Sequence, residues 1–592
     1  MDPVVVADMK IDEATWSKHE TIRQSMERTF GQWIGSELWD CEGDGADAVA
    51  GLVARGALAA LTFVRGYLLA SGYRRIATGH YRVWVGFHNS ELSFEAIGLI
   101  ASMVLAAADD ALDNGDFDGR LRSFWGHCSS RHPDYQARIL MEGARAADIP
   151  VQPGWARHTY WQFGWGCRSS VTFESSVSGD EAASQFVLSD KHGSKELMTS
   201  LGLPTPVYAL VESEADISAA IESVGLPCVT KPLNRGGGKG VTAGLNSVED
   251  VRSGYQYARQ VSAGRIMVEG FVEGGDYRLT VIDGVLRGAI RRERPLVVGD
   301  GHSTIRELVG KINASRPAAS LVASGYLRPI RLDGAAAQHL ASQGFSLETV
   351  LADGQEATVR SNANVSTGGT CCDVMAIIHP EIRSVVESFA LTLGVRAVGF
   401  DYLTRDISAF WDESGGAFIE LNRTPGIDAL ILAGLSPAEA GLLLLGSQPG
   451  RIPLDLVIVP PDVIARAREH FGSLPMDASA GWASSDIAFL GRARLRVRQD
   501  HPWAGVRTLL GHRGLTRAYV VASSHDVCSY GLPVDRADKV WVCDGCLDDE
   551  WLEVARRRSR EPAGLVAWCE FEGIAGDLAS GPLVSSPPSS AS

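Results

Sequence analysis

The sequence predicts a mixed α/β (α+β) protein with several domains. The chain has 592 residues, and at about 100–200 residues per domain this corresponds to three or four domains. The apolar share of 45% and the charged share of 21% exclude a disordered or fibrous chain. From Ser189 onward, short apolar strands alternate with helical segments.

Charge and composition narrow the class of protein. The 55 basic and 71 acidic side chains give a net charge of −16, which argues against a general nucleic-acid-binding protein. We find no stretch of about 18 uncharged apolar residues, so no membrane span is expected. The N-terminus lacks a basic segment followed by an apolar core, and ten cysteines are too few for a disulfide scaffold. We therefore expect a cytoplasmic protein.

The elements divide into three regions and a tail. The first region, 1–180, is predicted to be an α/β domain with helices over 46–72, 94–113 and 138–148 and a strand over 81–87. The second, 181–446, contains the predicted strands 207–211, 228–232, 265–272, 277–282, 285–290, 397–403 and 417–421. Asp283-Gly284 predicts a hairpin turn, and Ser247 and Thr304 predict helix starts.

A Gly- and Pro-containing linker at 446–451 precedes the third region, 452–580. This region is also predicted to be α/β, with strands over 454–459, 518–521 and 539–543. The Ser- and Pro-rich tail, 582–592, is expected to be disordered.

Two motifs of the second region favour a nucleotide. Lys231 ends an apolar strand and is followed by the glycine-rich segment 236–240, whose backbone N–H groups can approach phosphate oxygens. A flexible surface loop fits the same residues. Glu269 and Asp276 flank the end of another strand, where a purine and a ribose would find backbone and carboxylate partners. Taken alone, the second pattern is better explained as an ordinary strand end with solvated acids.

A third motif predicts a magnesium site. Glu420 and Asn422 lie on one side of a strand because side chains alternate, and Asp401 lies on another apolar strand. Carboxylate and amide oxygens suit Mg²⁺. A strand with one solvated face is the alternative, and it weakens because the motifs occur together in one region.

The fourth motif is the segment 359–370, which combines Arg360, two asparagines, hydroxyls and a Gly pair. Such a loop suits a developing oxyanion or a carboxylate substrate. A polar surface loop would have the same composition.

In this order the motifs resemble those of the ATP-grasp ligases, and most closely the cyanophycin synthetase group, over about 130–450. The segments that carry the resemblance are Ser189–Lys191, Lys231–Leu233, Gly299–Ile305, Arg360–Thr370 and Glu420–Gly426. The resemblance implies an ATP-grasp fold with ATP and Mg²⁺ as cofactors.

The resemblance also implies a role for each matching residue. The nucleotide-binding residues would be Lys191, Lys231, Gly236, Gly237, Gly238, Lys239, Gly240, Glu269, Val272 and Asp276. The metal ligands would be Asp401, Glu420 and Asn422, and the catalytic cations Arg278, Arg292 and Arg360. The substrate would be bound by Asn362, Asn364, Ser366, Thr367, Gly368 and Gly369.

Two departures from the family pattern carry consequences. Related D-Ala–D-Ala ligases carry an arginine two residues before the first metal Asp, where this chain has Gly399, so another arginine must act there. Cyanophycin synthetases continue into a Mur-ligase-like lobe with a second ATP site. Only 507–549 resembles that lobe, and no G-x-x-x-x-G-K-[ST] loop occurs, so 452–580 is interpreted as a degenerate remnant.

The expected activity is therefore a carboxylate–amine ligase. ATP would phosphorylate a substrate carboxylate, and an amine would attack the acyl phosphate to give a small dipeptide or isopeptide, such as a γ-glutamyl product. The expected partners are amino-acid or peptide substrates and further copies of the chain, without nucleic acid or membrane. The alternatives are a non-catalytic nucleotide-binding scaffold or regulatory subunit, or a cyanophycin-like polymerase.

Overall fold

The computed structural model describes residues 4–30, 45–109, 114–154, 159–177, 179–236, 238–316, 328–498, 501–560 and 564–566. The chain forms two compact units that are discontinuous in sequence. One unit comprises 1–134, 144–171 and 446–592, and the other comprises 135–143 and 172–445. The predicted division at 180, 446 and 452 stays a prediction.

The N-terminal stretch forms a small sheet covered by helices. Its elements are β1 (Val4–Lys10), α1 (Glu13–Trp16), α2 (His19–Phe30), α3 (Gly45–Phe63), β2 (Ser71–Ala77), β3 (His80–Gly86), α4 (Ser90–Ala108), α5 (Asn114–Arg131), α6 (Tyr135–Ala146), β4 (Val151–Pro153) and β5 (Tyr160–Phe163). The antiparallel sheet has the order β1-β3-β2. Alternate residues of β3, such as Val83 and Val85, are fully buried and pack with apolar residues of α3 and α4.

Helices α3 and α4 are long and apolar enough to cross a membrane by length and composition alone. Both helices contain charged residues, Asp47 and Arg55 in α3 and Glu91 and Glu95 in α4, so neither is a stretch of 18 uncharged apolar residues. Both helices pack in the N-terminal core, with 72% and 56% of their apolar windows buried. Burial of this extent is typical of core helices.

The middle stretch contains two main sheets. Its elements are β6 (Ser170–Phe173), β7 (Ser176–Val177), α7 (Ala182–Leu188), α8 (Lys191–Ser200), β8 (Tyr208–Val211), α9 (Ile217–Val224), β9 (Cys228–Pro232), β10 (Thr242–Leu245), α10 (Val248–Val261), β11 (Ile266–Gly270), β12 (Gly275–Ile282), β13 (Val285–Glu293), β14 (Leu296–Val298), α11 (Ile305–Ala314), α12 (Gly334–Ser342), β15 (Glu356–Thr358), β16 (Thr370–Asp373), α13 (Pro380–Leu393), β17 (Ala397–Thr404), α14 (Trp411–Ser414), β18 (Ala417–Asn422), α15 (Asp428–Leu432) and α16 (Pro437–Leu445).

The first main sheet has the order β10-β9-β11-β8, and the second has the order β16-β13-β12-β17-β18. Each sheet packs its own core, the first against α9 and α10 and the second against α13. The short pair β14-β15, with α11 and α12, forms a third small core. The two main sheets therefore act as separate platforms for side chains.

The C-terminal stretch forms one seven-stranded sheet. Its elements are β19 (Leu454–Val459), α17 (Ile464–Ser473), β20 (Ala480–Ala483), β21 (Ala488–Leu490), β22 (Ala493–Leu495), α18 (Ala504–Leu510), β23 (Arg517–Ser523), α19 (Ser524–Tyr530), β24 (Lys539–Cys543), α20 (Asp549–Arg557) and β25 (Gly564–Val566). The order is β22-β21-β20-β23-β19-β24-β25, with parallel pairing from β20 to β25 and an antiparallel hairpin at the β22 edge. Strand β19 is buried on both faces, as expected for a central parallel strand.

The local signals mark most element boundaries of the middle stretch. The hairpin turn at Asp283-Gly284 is present, and both residues have positive φ, which that turn requires. Ser247 caps α10, and Thr304 forms a capping box with Glu307. The predicted strand 265–272 ends at Gly270.

The N-terminal expectations were less accurate. The predicted helix 46–72 ends at Phe63, and Ser71–Ala77 is a strand. The strand β1 and the helix α5 were not predicted. The proposed tail, 582–592, lies outside the described residues.

Candidate active site

The glycine-rich segment follows β9, as the sequence predicts. Lys231 is buried, with 5% of its surface exposed, and it lies one residue before the strand ends. Gly238 and Gly240 have φ values of +74° and +75°, a region that side chains rarely adopt. Gly236 and Lys239 are exposed, whereas Gly237 lies outside the described residues. The loop can therefore present backbone N–H groups to a ligand beside Lys231.

Lys231 belongs to a buried triad of charges. Glu269 of β11 is 3% exposed, and its Oε1 lies 2.5 Å from the Nζ of Lys231. Its Oε2 lies 2.9 Å from the Nζ of Lys195, which is 1% exposed and also donates to Thr205 Oγ1 at 2.8 Å. Glu269 thus uses its side chain to hold two lysines. Its predicted role at the adenine stays a prediction.

Burial sets the protonation of this triad. It lowers the pKa of Lys195 to about 8, although the charge of Glu269 opposes the effect. Burial would raise the pKa of Glu269, but Lys231 and Lys195 outweigh it and keep that pKa below its usual value. At neutral pH two ammonium groups face one carboxylate, which leaves one net positive charge for an anion.

The second main sheet carries an acidic and basic cluster around Asp401 of β17. Arg278 of β12 is its direct cross-strand partner and donates from Nε to Asp401 Oδ1 at 2.6 Å. Arg292 of β13 lies 3.1 Å from the same oxygen and donates to Asp276 Oδ1 at 2.5 Å. The antiparallel register therefore assembles four residues that are up to 125 positions apart.

The two carboxyl groups of the cluster have pKa values shifted in opposite directions, lowered for Asp401 and raised for Asp276. Burial would raise the pKa of Asp401, but Arg278 and Arg292 hold it at about 2. For Asp276, burial and the charge of Asp401 raise the pKa despite Arg292. Burial lowers the pKa of Arg292, but the two aspartates raise it above its usual value. Asp401 is therefore the permanent negative charge of the cluster.

The three predicted metal ligands lie together. Glu420 of β18 pairs across the sheet with Asp401, and Asn422 Nδ2 donates to Asp401 Oδ2 at 3.3 Å. Glu420 also forms an ion pair with Lys191, the first residue of α8. Two carboxylates and an amide are a hard-oxygen donor set that fits Mg²⁺. The two carboxylates are paired with cations, Asp401 with Arg278 and Glu420 with Lys191. A metal would therefore compete with these two cations for the carboxylate oxygens.

The triad and the cluster are electrostatically connected. The charge of Glu420 contributes to the pKa of Lys195, which places these residues within interaction range. Lys191 and Lys195 are four residues apart on α8 and thus lie on the same side of the helix. Helix α8 therefore contacts both groups of residues, Glu269 of the first sheet through Lys195 and Glu420 of the second sheet through Lys191.

The structure explains the glycine at position 399. A Cβ on Gly399 would lie 3.1 Å from Arg278 Nη1 and 3.2 Å from Arg278 Cδ. The guanidinium of Arg278, approaching from the neighbouring strand, thus lies over the position where related ligases have an arginine. Another arginine was expected to act at this position, and Arg278 is the candidate that the structure places there.

The segment 359–370, here called the asparagine loop, lies against the glycine-rich loop 236–240. A Cβ on Gly238 would lie 3.3 Å from Asn364 Nδ2 and 3.5 Å from Asn362 Cβ. Within its own loop, Asn362 Oδ1 accepts from Thr367 Oγ1 at 2.9 Å. Gly368 and Gly369 are buried, and the former has a φ of +103°. The Ser366 side chain lies outside the description.

Arg360 is placed differently from the other predicted catalytic cations. Its Nη1 donates to Asp333 Oδ1 at 2.8 Å and to the Arg331 carbonyl at 2.9 Å. Asp333 is the N-cap residue of α12, so Arg360 is tied to the start of that helix and not to the Asp401 cluster. Val272 is half-buried in the connection between β11 and β12.

Sequence reasoning missed Lys195. The signal was available, because Lys191 and Lys195 have the i, i+4 spacing that places two residues on one face of a helix. It was missed because a lysine on an amphipathic helix usually faces solvent.

The chain is similar to several known proteins. Residues 196–282 match the model of the ATP-grasp domain family. A cyanophycin synthetase from Trichormus variabilis is 33% identical over 305 residues, which cover 50% of this chain and 33% of that protein. A glutathione biosynthesis bifunctional protein from Streptococcus mutans is 27% identical over 259 residues, which cover 42% of this chain and 34% of that protein.

Among solved structures, a bifunctional glutathione synthetase from Pasteurella multocida covers 57% of this chain and 49% of its own, with 20% identity and a TM-score of 0.37. The chain spans about a third of the length of the cyanophycin synthetases that it matches. The resemblance found in the motifs is thus confirmed by the family match and the sequence relatives. This chain contains an ATP-grasp domain, has an ATP-grasp fold, and is similar in sequence to cyanophycin synthetases.

Proposed function

We propose that this protein is an ATP- and Mg²⁺-dependent ligase that joins a carboxylate to an amine of amino-acid or peptide substrates. The observation that carries the proposal is the set of charges around Asp401, where Arg278, Arg292 and Asn422 contact one carboxylate and Glu420 faces it across the strand pair. This set combines metal donors with cations that can stabilise phosphoryl oxygens.

The nucleotide end of the site is supported by the buried triad. Glu269 holds Lys195 and Lys231 in fixed positions, and the triad has one excess positive charge at neutral pH. Phosphate oxygens would complete this charge balance, and the loop from Gly236 to Gly240 would provide N–H donors. Asp276 would hold a ribose hydroxyl, and Glu269 and Val272 would border the base.

The chemical step uses the second sheet. Asp401, Glu420 and Asn422 would hold Mg²⁺, which when bound would supply positive charge to offset that of the transferred γ-phosphoryl group. A substrate carboxylate oxygen attacks this group, and ADP leaves. The amine then attacks the acyl phosphate, an amide bond forms, and phosphate leaves with the carboxylate oxygen. Arg278 and Arg292 would stabilise the negative charge of the tetrahedral species.

We propose a small singly ligated product over a branched polymer. The sequence contains no second phosphate-binding loop of the Walker type, and a polymer with two kinds of amide linkage requires two ligating sites. The C-terminal sheet would then serve assembly or packing, and a cytoplasmic location is expected.

The test is incubation of the purified chain with ATP, Mg²⁺ and pairs of amino acids, with release of ADP and phosphate followed by mass spectrometry of the products. We expect ADP release to require both a carboxylate and an amine substrate, and the product mass to equal their sum minus water. Asp401→Asn serves as the inactive control. ATP binding without turnover for every pair would favour a scaffold, and long chains with two linkages would favour a polymerase.

A further inference from the structure

A row of arginines marks the open edge of the C-terminal sheet. The segment from Gly491 to Arg498 reads Gly-Arg-Ala-Arg-Leu-Arg-Val-Arg, with an arginine at every second position: Arg492, Arg494, Arg496 and Arg498. All four are exposed, whereas Leu495 and Val497 are half-buried and pack against the core of this sheet. Arg494 lies within β22 (Ala493–Leu495), Arg492 lies in the turn before it, and Arg496 and Arg498 follow it. The alternating exposure along the segment places the guanidinium groups opposite Leu495 and Val497.

The edge is open in the part of the chain that the structure describes. Strand β22 pairs only with β21 there, through the register Phe489↔Arg494, and it is the last strand of the sheet. A two-residue turn, Gly491-Arg492, closes the hairpin, so the flanking pair Leu490 and Ala493 exchanges backbone hydrogen bonds. Ala493 and Leu495 then direct their N–H and C=O groups inward, and Arg494 directs its own outward.

Three of the four arginines have no acidic ion-pair partner among the described residues. Within the described ranges, Arg492, Arg494 and Arg496 form no ion pair, although the chain has 71 acidic side chains and a net charge of −16. One explanation is that arginines on an edge strand prevent edge-to-edge association and have no further role. Three available arginines, Arg492, Arg494 and Arg496, with this spacing also match an anionic partner.

The spacing selects the kind of partner. Residues two apart on a strand are separated by about 6.6–6.8 Å, which is also the distance between alternate side chains of an extended peptide. A peptide strand with Asp or Glu at alternate positions can pair its carboxylates with consecutive arginines and bond its backbone to the outward groups of Arg494. We propose that the β22 edge binds an extended acidic peptide segment by strand addition.

The test uses the full chain and a fluorescein-labelled octapeptide of alternating Glu and Thr, with binding followed by fluorescence anisotropy at low and physiological salt. The double variant Arg494→Glu, Arg496→Glu is expected to weaken binding at least about tenfold, equal to about 1.4 kcal/mol. The matched control is Arg265→Glu, Arg466→Glu, which makes the same charge change at exposed arginines elsewhere and is expected to bind within about twofold of wild type.

A second measurement separates strand addition from general attraction of anions. The same peptide with N-methyl groups on alternate residues keeps its carboxylates but loses backbone donors, and we expect at least tenfold weaker binding. The proposal is overturned if the control variant loses as much affinity as the double variant, or if N-methylation has no effect. Three other probes can also overturn it: a peptide of the same composition with its Glu residues in one block, oligouridylate RNA, and anionic phosphatidylserine vesicles. Binding of any of these that equals or exceeds binding of the alternating peptide would do so.

Discussion

Replacing Glu269 by Gln tests the buried triad most directly. Glu269 is 3% exposed and is the carboxylate partner of both Lys195 and Lys231, which are 1% and 5% exposed. The amide would leave two buried ammonium groups without an anion. Removing one partner of a buried pair costs about 3–5 kcal/mol.

Deprotonation of one of the two lysines gives a second figure for this cost. A lysine with an unfolded-state pKa of 10.5 can release its proton at pH 7 for about 4.8 kcal/mol, at about 1.36 kcal/mol per pKa unit. Both arguments give a loss of about 3–5 kcal/mol. At about 2–4 °C per kcal/mol for a domain of this size, the melting midpoint should fall by roughly 6–20 °C.

The assay is thermal unfolding by circular dichroism, with hydrogen exchange of peptides from β9 and β11 to locate the loss. Glu249→Gln is the matched control, because Glu249 is exposed and its ion-pair partner among the described residues is Arg252, so a loss below about 1 kcal/mol is expected. Adding Lys195→Met to Glu269→Gln removes one unpaired charge and should recover part of the stability. A midpoint within 2 °C of wild type for Glu269→Gln, or a double variant less stable than the single one, would refute the reasoning.

Three further predictions concern the same site. Because the folded-state pKa of Lys195 is about 8 and its unfolded value 10.5, this residue should make stability rise with pH between those values, and Lys195→Met should lose that rise in melting midpoints measured across the range. Asp401→Asn and Glu420→Gln should each lower turnover by orders of magnitude with unchanged circular dichroism, and near-normal turnover at saturating Mg²⁺ would remove them from the metal site. Gly238→Ala should raise the KM for ATP about tenfold, because its φ is +74° and its Cβ would press on the asparagine loop. Gly236→Ala, whose Cβ meets nothing within 4 Å, should change the KM less than twofold.

Local rules predicted the ATP-grasp region well because its boundaries follow short-range chemistry. Capping at Ser247 and Thr304 and the turn at Asp283-Gly284 depend on residues only a few positions apart. The helix predicted over 46–72 was wrong at its end, because the apolar residues after Phe63 form a turn and a connection that leads to the strand at Ser71, and composition alone does not separate these from a helix.

Side-chain pairing in the site could not be read from the sequence. The contact of Arg278 with Asp401 depends on the register of β12 and β17, which are separated by α11, α12 and α13. Lys195 was missed because its burial results from packing against the first sheet. Motif residues thus identified the chemistry, whereas their partners required the fold.

The transfer of oxygen from carboxylate to phosphate tests the central claim most directly. The wild-type chain would be incubated with ATP, Mg²⁺ and a mixture of amino acids labelled with ¹⁸O in their carboxylates, with Asp401→Asn as the control. An acyl phosphate predicts released phosphate that carries one ¹⁸O per amide formed, and no labelled phosphate from the variant. Amide formation with unlabelled phosphate, or ATP hydrolysis that is independent of the amino acids, would contradict it.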